Sequence, residues 1–338
     1  MSVLSIRMTA GRYVMTVALL LAVSVLYEKY KESETLTDPD SDYNIVRKYL
    51  LGGQGESKPG LPVIWIHAGD DINPRWWPTF GSRNTRCLNQ PYETLTVTSI
   101  VKECRRDFSV CVIHDRDFKE LVPGWTADLD QIADPLRSNM RRLALARLLQ
   151  ARGGLLVPST FLAFRSLKPV YDSACAAPGQ MVACEIQEEM GRGPPDEGPG
   201  RHIRYPRPRF MGCVAGSKAM GEYAALLEHI NTTDHTAESA FLGEEAMWCL
   251  HSAQKGVIAT VPPELLGVED AKGRPIGVER LLGSSYVPLC SDAFGLYVPA
   301  QDLRRRTAYG WFSRQSTIQA LGSDTALGKY LLVVSGSH

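Results

Sequence analysis

The chain carries no surplus of either charge: 37 Lys and Arg offset 37 Asp and Glu among 338 residues. No net field therefore draws it to nucleic acid or to an anionic lipid surface, and no nucleic-acid partner is expected. C-x-x-C pairs are also absent, although eight cysteines occur (Cys87, Cys104, Cys111, Cys175, Cys184, Cys213, Cys249 and Cys290). Zinc-ribbon and thioredoxin-like readings fail on that ground. The even count permits disulfides in an oxidising lumen, but the spacing pairs none of them. Cys111 stands among apolar residues and reads as a small core side chain. No G-x-S-x-G elbow, P-loop, dinucleotide-binding glycine pattern or internal repeat is present.

What is present is an ordinary globular composition, 44% apolar, with length enough for one large domain or two small ones. One charge-free aliphatic run, residues 13–27 (YVMTVALLLAVSVLY), follows Arg7 and Arg12 and precedes Glu28. A spanning helix needs about 20 residues, and flanking side chains that snorkel reduce the requirement. Arg12 and Lys29 can snorkel, while Tyr13 and Tyr27 suit the interfacial belts. A cleaved signal peptide ending near Ala22-Val23-Ser24 and a buried amphipathic helix are the competing readings. Because polar residues do not recur on one helical face, a retained single-span anchor is favoured.

Positive charge before the span places the C-terminal domain across the membrane. The acid-free start, with its Ser and Arg residues, favours the mitochondrial inner membrane. A Golgi or ER signal anchor also fits, with Asn231-Thr232-Thr233 as a legal glycosylation triplet, and so does a virion. The resulting organisation is an anchor over residues 1–30, a polar and Gly-rich linker over 31–60, and an α/β domain over 61–338.

Within the domain, apolar strands at residues 63–67, 110–114 and 155–158 alternate with helical patterns. The spacing predicts neighbouring strands in one mainly parallel sheet flanked by helices. Helices are predicted at residues 95–104, 219–230, 301–312 and 324–332. A longer helix should start at Asp134-Pro135, with Asp as N-cap and Pro at N1. Residues 256–261 read as a buried strand, and residues 191–208, dense in Gly, Pro and Arg, read as a loop.

Pro62-Val63-Ile64-Trp65-Ile66-His67 resembles the opening strand of the DXD sugar-binding glycosyltransferases, which belong to the GT-A, nucleotide-diphospho-sugar transferase superfamily. Residues 108–115 (FSVCVIHD) are similar to that family's second strand, and residues 142–160 to its helix–Gly-Gly–strand unit. Phe210-Met211-Gly212-Cys213 and Phe241-Leu242-Gly243 resemble later core pieces, so the likeness covers roughly residues 61–282. The whole chain also resembles reading frames of large algal and amoebal viruses, which assigns no function. The resemblance implies a Rossmann-like GT-A fold and an Asp-X-Asp metal site after Gly153-Gly154. Pro158, Ser159 and Thr160 stand there instead. Neither proline nor a hydroxyl replaces a hard anionic ligand, so no metal and no other cofactor is expected at that place. The family's Asp and Arg on the preceding helix are replaced by Arg142 and Leu145.

Other residues carry possible chemistry, each with a plainer reading beside it. Asp115-Arg116-Asp117 is itself an Asp-X-Asp triplet after a strand, or else a turn with Asp117 as helix cap. His67 and His114 end adjacent strands and with a carboxylate would suit a metal, or are satisfied strand-end histidines. Asp70 and Asp71 are candidates for a nucleotide's base or ribose. Trp76 and Trp77 are candidates for stacking, or a lid. Glu185, Glu188 and Glu189 are candidates for a base, or an exposed face, and Arg304, Arg305 and Arg306 for a diphosphate clamp, or a surface patch. Three functions follow from these features: a non-catalytic subunit of a membrane complex, a metal-independent glycosyltransferase using a nucleotide sugar, or a binding module that keeps the cleft without turnover. The first is favoured, with no catalytic residue assigned.

Overall fold

The computed structural model describes residues 61–68, 90–175, 179–185, 206–233, 238–305 and 308–336. The expected anchor (residues 13–27), the linker, and Asp70, Asp71, Trp76, Trp77, Glu188 and Glu189 lie outside the described residues. No helix among those described is long and apolar enough to cross a membrane.

The architecture is mixed α/β around a six-stranded, mostly parallel sheet. β1 (Val63–His67) lies between β2 (Ser109–Ile113) and β3 (Gly154–Leu156), parallel to both. The sheet then continues through β6 (Pro206–Cys213) and β5 (Met181–Glu185) to β7 (Ile258–Val261). β6 is antiparallel to β3 and β5, and β5 is parallel to β7. A separate antiparallel pair joins β4 (Phe161–Ala163) to β8 (Gly295–Tyr297). The three strands read from apolar runs are thus neighbours in one sheet, as expected.

Alternation along β1 divides the core between two layers. Ile64 and Ile66 pack with Val97, Ile100 and Val101 of α1 (Pro91–Cys104) on one face. Trp65 packs on the other with Leu145 and Leu149 of α3 (Leu136–Arg152) and Tyr223 of α5 (Lys218–Thr232). Burial of both faces is why these strands read as continuous apolar runs. A third cluster gathers Tyr92, Leu162 and Leu296 with the C-terminal elements. The remaining helices among the described residues are α2 (Phe118–Leu121), α4 (Lys168–Cys175), α6 (Glu238–Gln254), α7 (Val278–Leu282), α8 (Ala300–Arg305), α9 (Gly310–Ser313), α10 (Thr317–Leu321) and α11 (Ala326–Gly336).

Gly153-Gly154 is a requirement of the backbone. Gly153 closes α3 at φ 68°, and its carbonyl accepts the Trp65 indole N–H at 2.9 Å. Gly154, at φ 106°, lies so close to β1 that a Cβ would sit 2.3 Å from the Val63 carbonyl oxygen. Only glycine takes this conformation without strain.

Several boundaries differ from the sequence reading. α1 starts at Pro91, ahead of residue 95, because proline suits the first helical position. Leu136 is the first residue of α3, after a cis Asp134–Pro135 peptide. Pro135 is its N-cap residue, and Asp134 instead receives the Ser138 N–H (3.2 Å) and hydroxyl (2.5 Å). The single helix predicted over 301–312 is two, α8 ending at Arg305 and α9 starting at Gly310. The predicted loop 191–208 yields to strand at Pro206. β3 pairs only with Met211 to Cys213, so Pro206 and Pro208 extend past it, where a missing N–H costs nothing on that side.

Candidate functional site

Chain order places a switch point between β1 and β3. From β1 the chain crosses through α1 to β2, then returns past β1 through α3 to β3. Because α1 and α3 cover opposite faces, the carboxyl ends of β1 and β3 form a topological switch point, the position at which open α/β sheets bind ligands. His67 ends β1, His114 to Asp117 follow β2, and Pro158 to Thr160 follow β3. These predicted residues therefore share one sheet edge. Glu185 ends β5 at the same edge, two strands beyond β3; its side chain lies outside the described residues.

The best-formed constellation there joins His67, Asp115 and Arg141. Asp115 Oδ1 accepts from Arg141 Nε at 2.7 Å and lies 2.8 Å from His67 Nε2; Arg141 Nη2 donates to Oδ2. His67 also stacks on Phe118, with ring centroids 5.9 Å apart. Burial pushes the His67 imidazole below its usual value, and that outweighs the raising effect of Asp115. A neutral imidazole beside an acceptor-only carboxylate must carry its proton on Nε2, so His67 donates. Burial raises the Asp115 carboxyl, but the donors on Arg141 and His67 reverse this and hold it well below the carboxylate range. Asp115 is thus fixed as an anion with both oxygens engaged. Asp117 turns the other way, as its Oδ2 accepts the His114 N–H at 2.8 Å and closes the 3-10 turn Asp115–Asp117.

A second cluster lies at the end of β3. The Ser159 hydroxyl donates to Glu93 Oε2 of α1 at 2.7 Å, and the Ser159 carbonyl accepts from Thr96 Oγ1 at 2.6 Å. Thr160 Oγ1 donates to the Val298 carbonyl at 2.8 Å. Burial raises the Glu93 carboxyl, opposed by the Ser159 bond and by the charge of Arg304. Tyr92 is fully buried, and burial together with the Glu93 charge lifts its hydroxyl well above the usual value. Tyr92 Oη and Gln90 Oε1 are buried without hydrogen-bond partners. Arg304 thus acts electrostatically on this cluster; Arg306 and the side chain of Arg305 lie outside the described residues.

Sequence reasoning missed Arg141 and Glu93. Each reaches its partner from another element, 26 and 66 residues away along the chain, so local pattern gave no signal for either. Arg142, where the resemblance expects Asp, pairs with buried Glu245, which also accepts the Tyr223 hydroxyl at 2.6 Å. Among the described residues no three His, Cys, Asp or Glu side chains converge as a metal would require. The possible His67, His114 and carboxylate site is instead a His–Asp–Arg network. Asn231 lies in α5 with both atoms of its side-chain amide buried, an arrangement that cannot present the amide for glycosylation without local rearrangement.

No protein-family model matches this chain, and no curated protein matches it. Among solved structures, the galactosyltransferase LgtC in complex with donor and acceptor sugar analogues is similar over 60% of this chain and 74% of its own. The identity is 11% and the TM-score 0.32. An active-site mutant of LgtC gives the same coverage and identity with a TM-score of 0.31. A Bacillus anthracis protein described as a glucose-1-phosphate thymidylyltransferase, in complex with sucrose, is similar over 60% of this chain and 86% of its own. There the identity is 10% and the TM-score 0.31.

Proposed function

We propose that this chain is a non-catalytic member of the GT-A glycosyltransferase fold, anchored by residues 13–27 and serving as an accessory subunit of a mitochondrial inner-membrane complex. The observation that carries the reading is the state of the strand end. Pro158 and Thr160 stand where the family resemblance expects the two metal-binding carboxylates; Thr160 spends its hydroxyl proton on the Val298 carbonyl, and Ser159 between them spends its own on Glu93. A hydroxyl pair lacks the charge to displace water from a divalent ion, and Mg²⁺ dehydrates reluctantly. The neighbouring Asp115 is neutralised by Arg141, and Asp117 is engaged as a cap.

Three measurements test this. Incubation of the full chain with sugar nucleotides, with and without manganese, should give no transfer and no hydrolysis; turnover in either arm would sink the non-catalytic reading. Carbonate extraction should leave the protein in the membrane pellet, and Val17→Arg with Leu21→Arg should release it. Burial at about 0.8 kcal/mol per methylene makes exposing the wild-type run to water costly. Native gels should show co-migration with a membrane complex, and a chain running alone would refute the subunit role. A second reading is metal-independent transfer, with Arg304 as a cation for the diphosphate. Manganese-independent turnover lost in Arg304→Gln is the outcome specific to that alternative.

A further inference from the structure

Seven large apolar side chains are exposed among the described residues, and five of them (Tyr286, Trp311, Ile318, Leu332 and Val333) belong to the C-terminal elements. Single exposed apolar residues are ordinary, but their concentration in one part of a fold marks a surface that meets something. The centre of this one is a helical hairpin. α10 and α11 pack on each other across the turn at residues 322–325, and a Cβ at Gly328 would lie 2.7 Å from the Ala320 carbonyl oxygen. Ala320, Leu327 and Leu331 are buried on the inner side. Away from it, Ile318 is 63% exposed, Leu332 53% and Val333 65%. Along α11 the residues Lys329, Leu332, Val333 and Gly336 are exposed, the i, i+3, i+4, i+7 spacing of one helical face.

Charge identifies what covers the face. The chain is neutral as a whole, yet residues 300–338 hold five cations (Arg304 to Arg306, Arg314 and Lys329) against two acids, Asp302 and Asp324. Lys102 of α1 adds a cation beside the end of α11, where it donates to the Val334 carbonyl at 3.3 Å. Lys329 is offset by Asp324 at 2.7 Å. The others leave a local positive excess, which acts within a Debye length of a charged surface whatever the net charge of the chain. Apolar side chains beside an excess of Lys and Arg are the pattern of a segment that lies in the interface of an anionic bilayer. A protein partner fits less well. Three aliphatic side chains fall far short of the roughly 800 Å² that each side of a standard protein interface covers.

We propose that the α10–α11 hairpin docks on an anionic lipid bilayer, with Ile318, Leu332 and Val333 entering the headgroup boundary and the surrounding cations meeting lipid phosphates. The contact extends the membrane reading above without resting on residues 13–27. The test uses the full chain with Val17→Glu and Leu21→Glu, which disables that run without adding a cation. This chain should float with vesicles of phosphatidylcholine containing one-third phosphatidylglycerol, and bind phosphatidylcholine alone at least tenfold more weakly. Adding Leu332→Gln and Val333→Gln should lower binding to the anionic vesicles at least tenfold with no fall in melting temperature. In the wild-type chain on nanodiscs, hydrogen exchange of residues 330–336 should be slower in the anionic mixture than in phosphatidylcholine. That arm depends on no variant, and equal exchange in the two lipids would overturn the proposal. Flotation indifferent to headgroup charge or to the two glutamines would overturn it equally. So would a lipid-free dimer that the glutamines dissociate, since the face would then belong to a second copy. Failure of the anchor reading is distinguishable: the wild type and the Val17→Glu, Leu21→Glu chain would then float alike.

Discussion

Replacing Asp115 with Asn tests whether the His67–Asp115–Arg141 network holds the sheet edge together. The substitution keeps the shape and one carbonyl oxygen but removes the charge, and it turns an NH₂ group towards the Arg141 donors. The side chains of Asp115 and Arg141 are only 11% and 18% exposed. Removing one partner of a fully buried pair costs about 3–5 kcal/mol, whereas an exposed pair is worth less than about 1 kcal/mol. With both groups mostly but not wholly out of water, the low end applies, about 3 kcal/mol. For a domain of this size that lowers the melting temperature by roughly 6–12 °C.

The assay is thermal and urea unfolding at pH 7.5, with an unchanged urea slope confirming that the folded and unfolded states keep their extent. Arg141→Met alone should also destabilise, because it leaves Asp115 buried without its main donor. In the double variant the stranded charge is gone, so the combined loss should fall short of the two single losses by more than about 1 kcal/mol. A loss below about 1 kcal/mol in Asp115→Asn, or strict additivity in the double variant, would show the pair to be solvent-screened and refute the reasoning.

His67 should make stability fall as the solution is acidified. Its folded value lies below the unfolded value of about 6.5, so its contribution is complete above that pH and is lost as pH falls through the lowered value; His67→Gln should flatten the wild-type stability profile below pH 6.5. Gly154→Ala drives a Cβ to 2.3 Å from the Val63 carbonyl oxygen at φ 106° and should cost about 3 kcal/mol or more, read as lost soluble yield or a sharply lowered melting temperature. Glu93→Gln should behave oppositely to Asp115→Asn. Burial raises the Glu93 carboxyl, so the variant should melt no lower than the wild type at pH 7.5, with any gain shrinking as acid protonates Glu93.

The parallel core was legible because its strands are short apolar runs with abrupt ends: Val63 to His67 and Ser109 to Ile113 stop at polar or charged residues, and Gly154 to Leu156 starts from a glycine pair. The glycine pair was legible as a mark, although its cause, contact with the Val63 carbonyl, is a long-range fact. Strand residues 206–208 were hidden by prolines, whose meaning depends on β3 being only three residues long. At the candidate site, the sequence placed His67, Asp115 and Ser159 near strand ends but left their partners unnamed. Arg141 sits among several helix arginines, and helical periodicity does not single out the one that meets Asp115. Glu93 belongs to the first turn of α1, ahead of the start at residue 95 that the sequence pattern predicts.

These partners change what the edge can do. A site that binds and turns over a ligand keeps groups aimed at it with unused hydrogen-bonding capacity, often at a cost to local stability. Here the strand-end carboxylates and hydroxyls Asp115, Asp117, Ser159 and Thr160 are engaged inside the protein, whereas Tyr92 Oη and Gln90 Oε1 have no partner. Asp115 accepts from Arg141 and His67, Asp117 from the backbone of His114, and Ser159 and Thr160 donate to Glu93 and Val298. Each bond also ties two elements or turns together, α3 to β1 through Asp115 and α1 to β3 through Glu93. The two carboxylates differ in how they achieve it. Asp115 is held as an anion by a guanidinium, while Glu93 is buried against a neutral hydroxyl and pushed towards its protonated form. Loss of charge should therefore weaken the first junction and spare the second, a contrast that a domain retaining both carboxylates for metal or acid–base chemistry would not be expected to show.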